Sequence, residues 1–179
     1  MSLTRLLFIA VVISILTLPI VVFALENYGQ QMATIISLYE ILSGKKSPTV
    51  SDFFRIFGKG NEAELQLILR KRFPSLDWKG NWFANQEAAN YINNVYSDPI
   101  QYPSLFLQCI KTAEPELFAV EFHGQIEFPP KVTKDFTTFS VTLGRKKILF
   151  EFSQNESKIE NIYLPDRQSI YTLIERCIK

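Results

Sequence analysis

The chain patterns as an α+β fold, with helices first, an antiparallel sheet after them and extra helices at both ends. Apolar residues recur at helical spacing up to about Tyr96. From Tyr102 the period becomes two, as in half-buried strands. In the second half, the two-residue turn Gly144-Arg145 brings Val141 opposite Ile148 and Phe139 opposite Phe150, so turn and pattern agree on one register.

In chain order the first element is a leader. Leu6 to Phe23 is apolar but for Ser14, Thr17 and Pro19, and follows a single cation, Arg5. Val22-Phe23-Ala24 offers small residues at the positions a signal peptidase needs for a cut after Ala24. Residues 1–24 therefore read as a signal peptide, the alternative being an uncleaved membrane anchor. Either way the chain from Leu25 is expected outside the cytosol, secreted if the leader is cut and attached to a membrane if it is not. Removing the leader takes Arg5 and no acid, which leaves 18 basic and 18 acidic residues. Such a balance gives no electrostatic footprint for nucleic acid. With 47% hydrophobic and 21% charged residues among 179, the chain is no disordered polymer.

Residues 25–46 form an N-terminal helix and linker. Tyr28, Met32, Ile35, Ile36, Tyr39 and Leu42 make its apolar stripe, and Ser43-Gly44 ends it. The main domain is 47–179. Pro48 and Ser51 open a short helix carrying Phe53, Phe54 and Phe57. Asn61 is the expected cap of the next, with Leu65, Ile68 and Leu69 buried and Arg70-Lys71-Arg72 suiting its C-terminal dipole. Leu76-Asp77-Trp78 and Trp82-Phe83 flank Gly80-Asn81 as a small hairpin. Asn85 then caps a helix with Ala88, Tyr91, Ile92, Val95 and Tyr96 on one face.

The strands follow. Leu105, Leu107 and Cys109 alternate along the first. In the second, Phe118, Val120, Phe122, Ile126 and Phe128 face inward, while Glu121, His123, Gln125 and Glu127 face out. Gly124 marks a bulge or bend. Beyond the Gly144 hairpin, the turn at Asn155-Glu156-Ser157 pairs Phe150 with Ile162 and Ile148 with Leu164, giving a three-stranded meander with one core face. Pro165-Asp166 caps a final helix bearing Ile170, Leu173, Ile174 and Cys177. Two cysteines, Cys109 and Cys177, are expected to bridge in an oxidising compartment, the alternative being two buried thiols. Asn155 opens the single glycosylation sequon.

The stretches SDFFRIF, NEAELQLILRKRF and LDWKGNWFANQEAANYINNV, followed by LFAVEFHGQIEF, FTTFSVTL and KILFEF, resemble secreted members of the nuclear transport factor 2-like family. The resemblance covers roughly Ser47 to Leu164 and lies in element order rather than in a catalytic motif. It implies helices packed in a curved antiparallel sheet, a cone, with a pocket between sheet and helices. Trp78, Trp82, Tyr91, Phe122, Phe139 and Phe150 would line that pocket.

No G-x-S-x-G, P-loop, paired His/Cys metal spacing or Cys with a His partner occurs, so no catalytic residue, metal or cofactor is assigned. Asp77 is the one carboxylate considered as an acid–base, and Tyr163 is a phenol that a ligand could use. His123 falls on the outward face, solvated or against a second copy. The expectation is a non-enzymatic, secreted binding or interaction domain for a small apolar ligand or a protein. It would also be able to pair with itself through the outer sheet face. The alternatives are a small secreted lyase or isomerase using Asp77, and a membrane-anchored interaction domain.

Overall fold

The computed structural model describes residues 24–74, 90, 104–119, 121–154 and 156–178. The hairpin with Asp77, Trp78 and Trp82, the helix with Tyr91, residue Asn155 and the leader to residue 23 lie outside them.

Helix α1 covers residues 24–42. Its stripe is the expected one: Ile35, Leu38, Tyr39 and Leu42 have no exposed surface, while Ile36 is turned partly to solvent. The chain leaves it at Gly44, whose φ of 90° is a left-handed helix stop. Helix α2 (Val50–Ile56) is opened by Thr49, whose hydroxyl accepts from the Asp52 N–H while the Asp52 carboxylate accepts from the Thr49 N–H. Helix α3 (Gly60–Arg72) begins one residue before the expected Asn61 cap, with Lys59 at the cap position. Gly60 is required there, since a Cβ would lie 1.8 Å from the buried Phe53 ring. The buried side of α3 is Glu64, Leu67, Ile68 and Leu69, and Leu65 is only half-buried.

The segment from Leu105 is a helix, not the expected strand. Helix α4 (Leu105–Ala113) is capped by the Ser104 hydroxyl, which accepts from the Leu107 N–H at 3.3 Å. Apolar residues fill nearly every position from Leu105 to Ile110, so an alternating subset always exists. The buried set Phe106, Leu107, Cys109 and Ile110 follows the helical period. Leu117 and Phe118, also expected in a strand, belong to the short helix α5 (Pro115–Phe118), which Pro115 starts at its first position. From Glu121 to Glu127 the expected alternation of exposure holds, with His123 outward. Only β1 (Gln125–Ile126) is paired there, and Phe128, expected inward, is 56% exposed.

Strands β2 (Lys131–Val132), β3 (Phe136–Leu143), β4 (Lys146–Ser153) and β5 (Ile159–Tyr163) complete a five-stranded antiparallel sheet. The order is β1-β3-β4-β5, with β2 also on β3. The hairpin register is the predicted one: Phe139 faces Phe150 and Val141 faces Ile148 across the turn at Gly144, whose φ is 60°. Phe150 faces Ile162, and a bulge between Glu151 and Phe152 bends the sheet. Phe139, Phe150 and Phe152 are fully buried against the helices, each worth roughly 2–3 kcal/mol of burial.

Helix α6 (Ile170–Ile178) starts later than the Pro165-Asp166 cap predicts. Asp166 Oδ1 instead accepts from Gln168 N–H within the turn, and Ser169 Oγ accepts from Tyr171 N–H at the helix start. The Cys109–Cys177 disulfide joins α4 to α6, with Cα atoms 6.1 Å apart.

Candidate functional site

Along β3, β4 and β5 the side chains opposite in parity to Phe139 and Phe150 point away from the helices. Thr138, Leu149, Glu151 and Tyr163 are such residues, and all four are half-buried. With Lys131, Thr133, Phe136 and Arg167 they line an open groove of about 520 Å3. Strand pairing fixes the layout. Lys131 is opposite Thr138, Thr138 opposite Glu151, and Leu149 opposite Tyr163. Phe136 closes one end, next to Ser153. Lys59 Nζ stands 5.5 Å from the Phe136 ring centroid and 3.3 Å from Glu160 Oε2.

Arg167 reaches the groove from the turn between β5 and α6. Its N–H donates to Leu164 O at 2.8 Å, and Leu164 N–H donates to Gln168 O at 2.9 Å. This turn places Arg167 at φ 64°, the left-handed region normally given to glycine or asparagine. The side chains of Lys131, Glu151 and Arg167 make no ion pair among the described residues. The groove therefore combines an apolar floor with two cations and one acid that make no ion pair among the described residues.

A second hollow of about 290 Å3 lies at the end of α1, lined by Ile36, Glu40, Ser43, Lys45, Glu121, Phe122 and His123. Lys45 and Glu121 pair there at 2.8 Å, both exposed. His123 is exposed beside them, and the Phe122 ring centroid lies 5.0 Å from that of the buried Tyr39, the planes tilted at 50°. Of the other residues expected to line a pocket, Phe139 and Phe150 lie wholly inside the core. Trp78, Trp82 and Tyr91, together with Asp77, fall outside the described residues. Among the described residues no group of three or more His, Cys, Asp or Glu side chains could hold a metal ion.

Glu64 is the most deeply buried carboxyl among the described residues, and periodicity did not reveal it. It has no exposed surface; Oε1 accepts from Ser104 Oγ and Leu105 N–H, each at 3.1 Å, and Oε2 accepts from Phe106 N–H at 2.9 Å. Burial pushes its carboxyl up to about 7, against the opposing pull of those three donors. All of them belong to the start of α4, so Glu64 satisfies a helix N-terminus rather than facing a cavity. The helical reading of Ser104-Leu105-Phe106-Leu107 was the signal that could have found it.

The fold is an α+β arrangement with a disulfide between its last helix and α4. No family model matches the chain, and neither a curated protein nor a solved structure matches it.

Proposed function

We propose that this chain is an exported, disulfide-stabilised, non-enzymatic binding domain, and that its binding surface is the open face of the sheet. The observation that carries this is the groove between Lys131 and Arg167. It has half-buried Phe136, Leu149 and Tyr163 as its floor and, around them, charged groups with no ion pair among the described residues. Its volume is in the range of small-molecule sites. Export is supported by the leader Leu6–Phe23 and by the Cys109–Cys177 bridge, a bond favoured in oxidising compartments. No helix of the described residues is long and apolar enough to cross a membrane. A cone of the nuclear transport factor 2-like kind would hold its ligand between sheet and helices, but Phe139 and Phe150 are fully buried there. The binding reading therefore rests on the outer face.

Two measurements test it. N-terminal sequencing of the exported protein should begin at Leu25, with no thiol open to alkylation before reduction. Native mass spectrometry of protein purified from its own source should show a bound small molecule that Leu149→Glu releases. A chain that carries nothing in any preparation, or a ligand indifferent to Leu149, refutes the assigned surface.

A further inference from the structure

The groove has a chemical bias. We propose that it recognises an amphipathic organic anion, with the Arg167 guanidinium holding the anionic group and Phe136, Leu149 and Tyr163 holding the apolar body; this rests on the open face being the binding surface.

The position of Arg167 is the first support. The turn Leu164–Gln168 needs one residue at positive φ, and glycine would meet that need at lower cost. Arg167 is exposed and its side chain has no ion pair among the described residues, so the backbone hydrogen bonds of the turn hold the conformation without help from the guanidinium. What the side chain does gain is a place on the wall of the groove. A left-handed arginine there fits ligand recognition, because strained backbone persists where a side chain must be presented. Its planar, fork-like donors suit a carboxylate or phosphate oxygen pair.

The layout of charge is the second. Lys131 stands on β2 and Arg167 beyond β5, so their backbones are about 14 Å apart by strand spacing and the two cations enter the groove from opposite sides. Arg167 adjoins the more apolar end, where Leu149 faces Tyr163. Glu151 lies between the two cations and reduces the groove from two positive charges to one. It therefore works against every anion that enters. Removing it should tighten anion binding, whereas removing Arg167 should loosen it. Opposite signs from two substitutions in one groove are not what a general loss of structure produces.

The test titrates the full chain with three probes of equal tail and different head: decanoate, decanol and decyltrimethylammonium, each below its aggregation limit. Binding is followed by NMR shifts of backbone amides. Decanoate should bind best and shift residues of β3, β4 and β5 on the open face. Arg167→Gly should weaken decanoate by about tenfold or more, and Glu151→Gln should strengthen it several-fold. A melting temperature of Arg167→Gly at or above that of the parent chain shows that the fold is intact. Decanol bound as tightly as decanoate, an Arg167→Gly variant of unchanged affinity, or no binding of any probe overturns the anion proposal. If a native ligand is displaced by Leu149→Glu, the open face survives that failure. Decanoate shifts confined to residues away from the sheet overturn both.

Discussion

Glu64→Gln offers the most direct measurement of what a buried charge does in this fold. The carboxyl lies among Ser104, Leu105 and Phe106, and burial raises it from 4.5 to about 7. An acid with a higher pKa in the folded state holds more protons there than in the unfolded chain. Its stabilising contribution is then complete below the unfolded value and is lost as pH rises through the folded one. At about 1.4 kcal/mol per pH unit, the interval from 4.5 to 7 corresponds to roughly 3 kcal/mol. Glutamine keeps the shape and removes the titration. Its amide nitrogen, however, must face one of the N–H donors, at a constant cost of about 1–3 kcal/mol. The assay is urea unfolding followed by far-ultraviolet circular dichroism, on both proteins, from pH 4.5 to 8. Subtracting the two curves cancels other carboxylates, such as Asp52, whose hydrogen bonds from Lys46 and Thr49 overcome burial and hold it below the usual range. The parent chain should lead at pH 4.5, and that lead should shrink by roughly 3 kcal/mol by pH 8. A difference that is constant or grows with pH would refute the reasoning. It would show that the N–H groups of α4 stabilise the charged form more than burial penalises it.

Three further outcomes are expected. Replacing Cys109 and Cys177 together by serine and alanine opens a loop with a sequence separation of 68, which should cost about 4 kcal/mol in the chain-entropy model. Thermal melts with and without reductant check this: reductant should lower the parent and leave the variant unchanged. Gly60→Ala places a Cβ against the Phe53 ring and should lower the urea midpoint by an amount equal to about 1–3 kcal/mol; an unchanged midpoint would mean that the start of α3 shifts freely. Arg167→Gly should leave stability equal or raise it by up to about 1 kcal/mol, because relief at φ 64° offsets the greater freedom of the unfolded chain. A clear loss in the same melt would make Arg167 a structural residue.

The sheet was legible because its register has two independent signatures. Gly144 fixes the hairpin, and only one register then puts Phe139, Val141, Ile148 and Phe150 on the same side. Helices α1 and α6 were legible for a related reason: their apolar stripes recur from turn to turn. The middle was not. Between Leu105 and Phe118 almost every side chain that matters is apolar, so periods of 2 and 3.6 both find matches, and Ser104 as a cap was the deciding signal. One of the segments that carried the family resemblance, LFAVEFHGQIEF, begins in this ambiguous region. The groove was half visible. Tyr163 and the outer face were singled out, but Lys131, Phe136 and Arg167 come together through β2, the end of β3 and a turn, and no periodicity links those positions.

The edges of the sheet favour binding by its face over binding by strand addition. At β5, Phe57 bridges to Ile159 and Ser169 bridges to Tyr163, so both ends of that edge are already paired. Gly58 N–H also donates to Ile159 O at 2.9 Å, and a Cβ on Gly58 would come within 2.7 Å of Glu160 Oε1, so the Glu160 carboxylate would have to move to admit one. Between the bridges, Asn161 turns its side chain back to accept from Ile162 N–H and Ser169 Oγ. The opposite edge has two-residue strands, β1 and β2, too short to template another chain, and an exposed lysine on β2 that discourages pairing. An added strand would therefore find little continuous backbone to pair with on either side. The open face is different: its apolar side chains remain half-exposed although the opposite face is completely packed. A ligand that covers Leu149 and Tyr163 would remove apolar surface from water without competing with any hydrogen bond of the sheet, so the proposed recognition is by side chains rather than backbone.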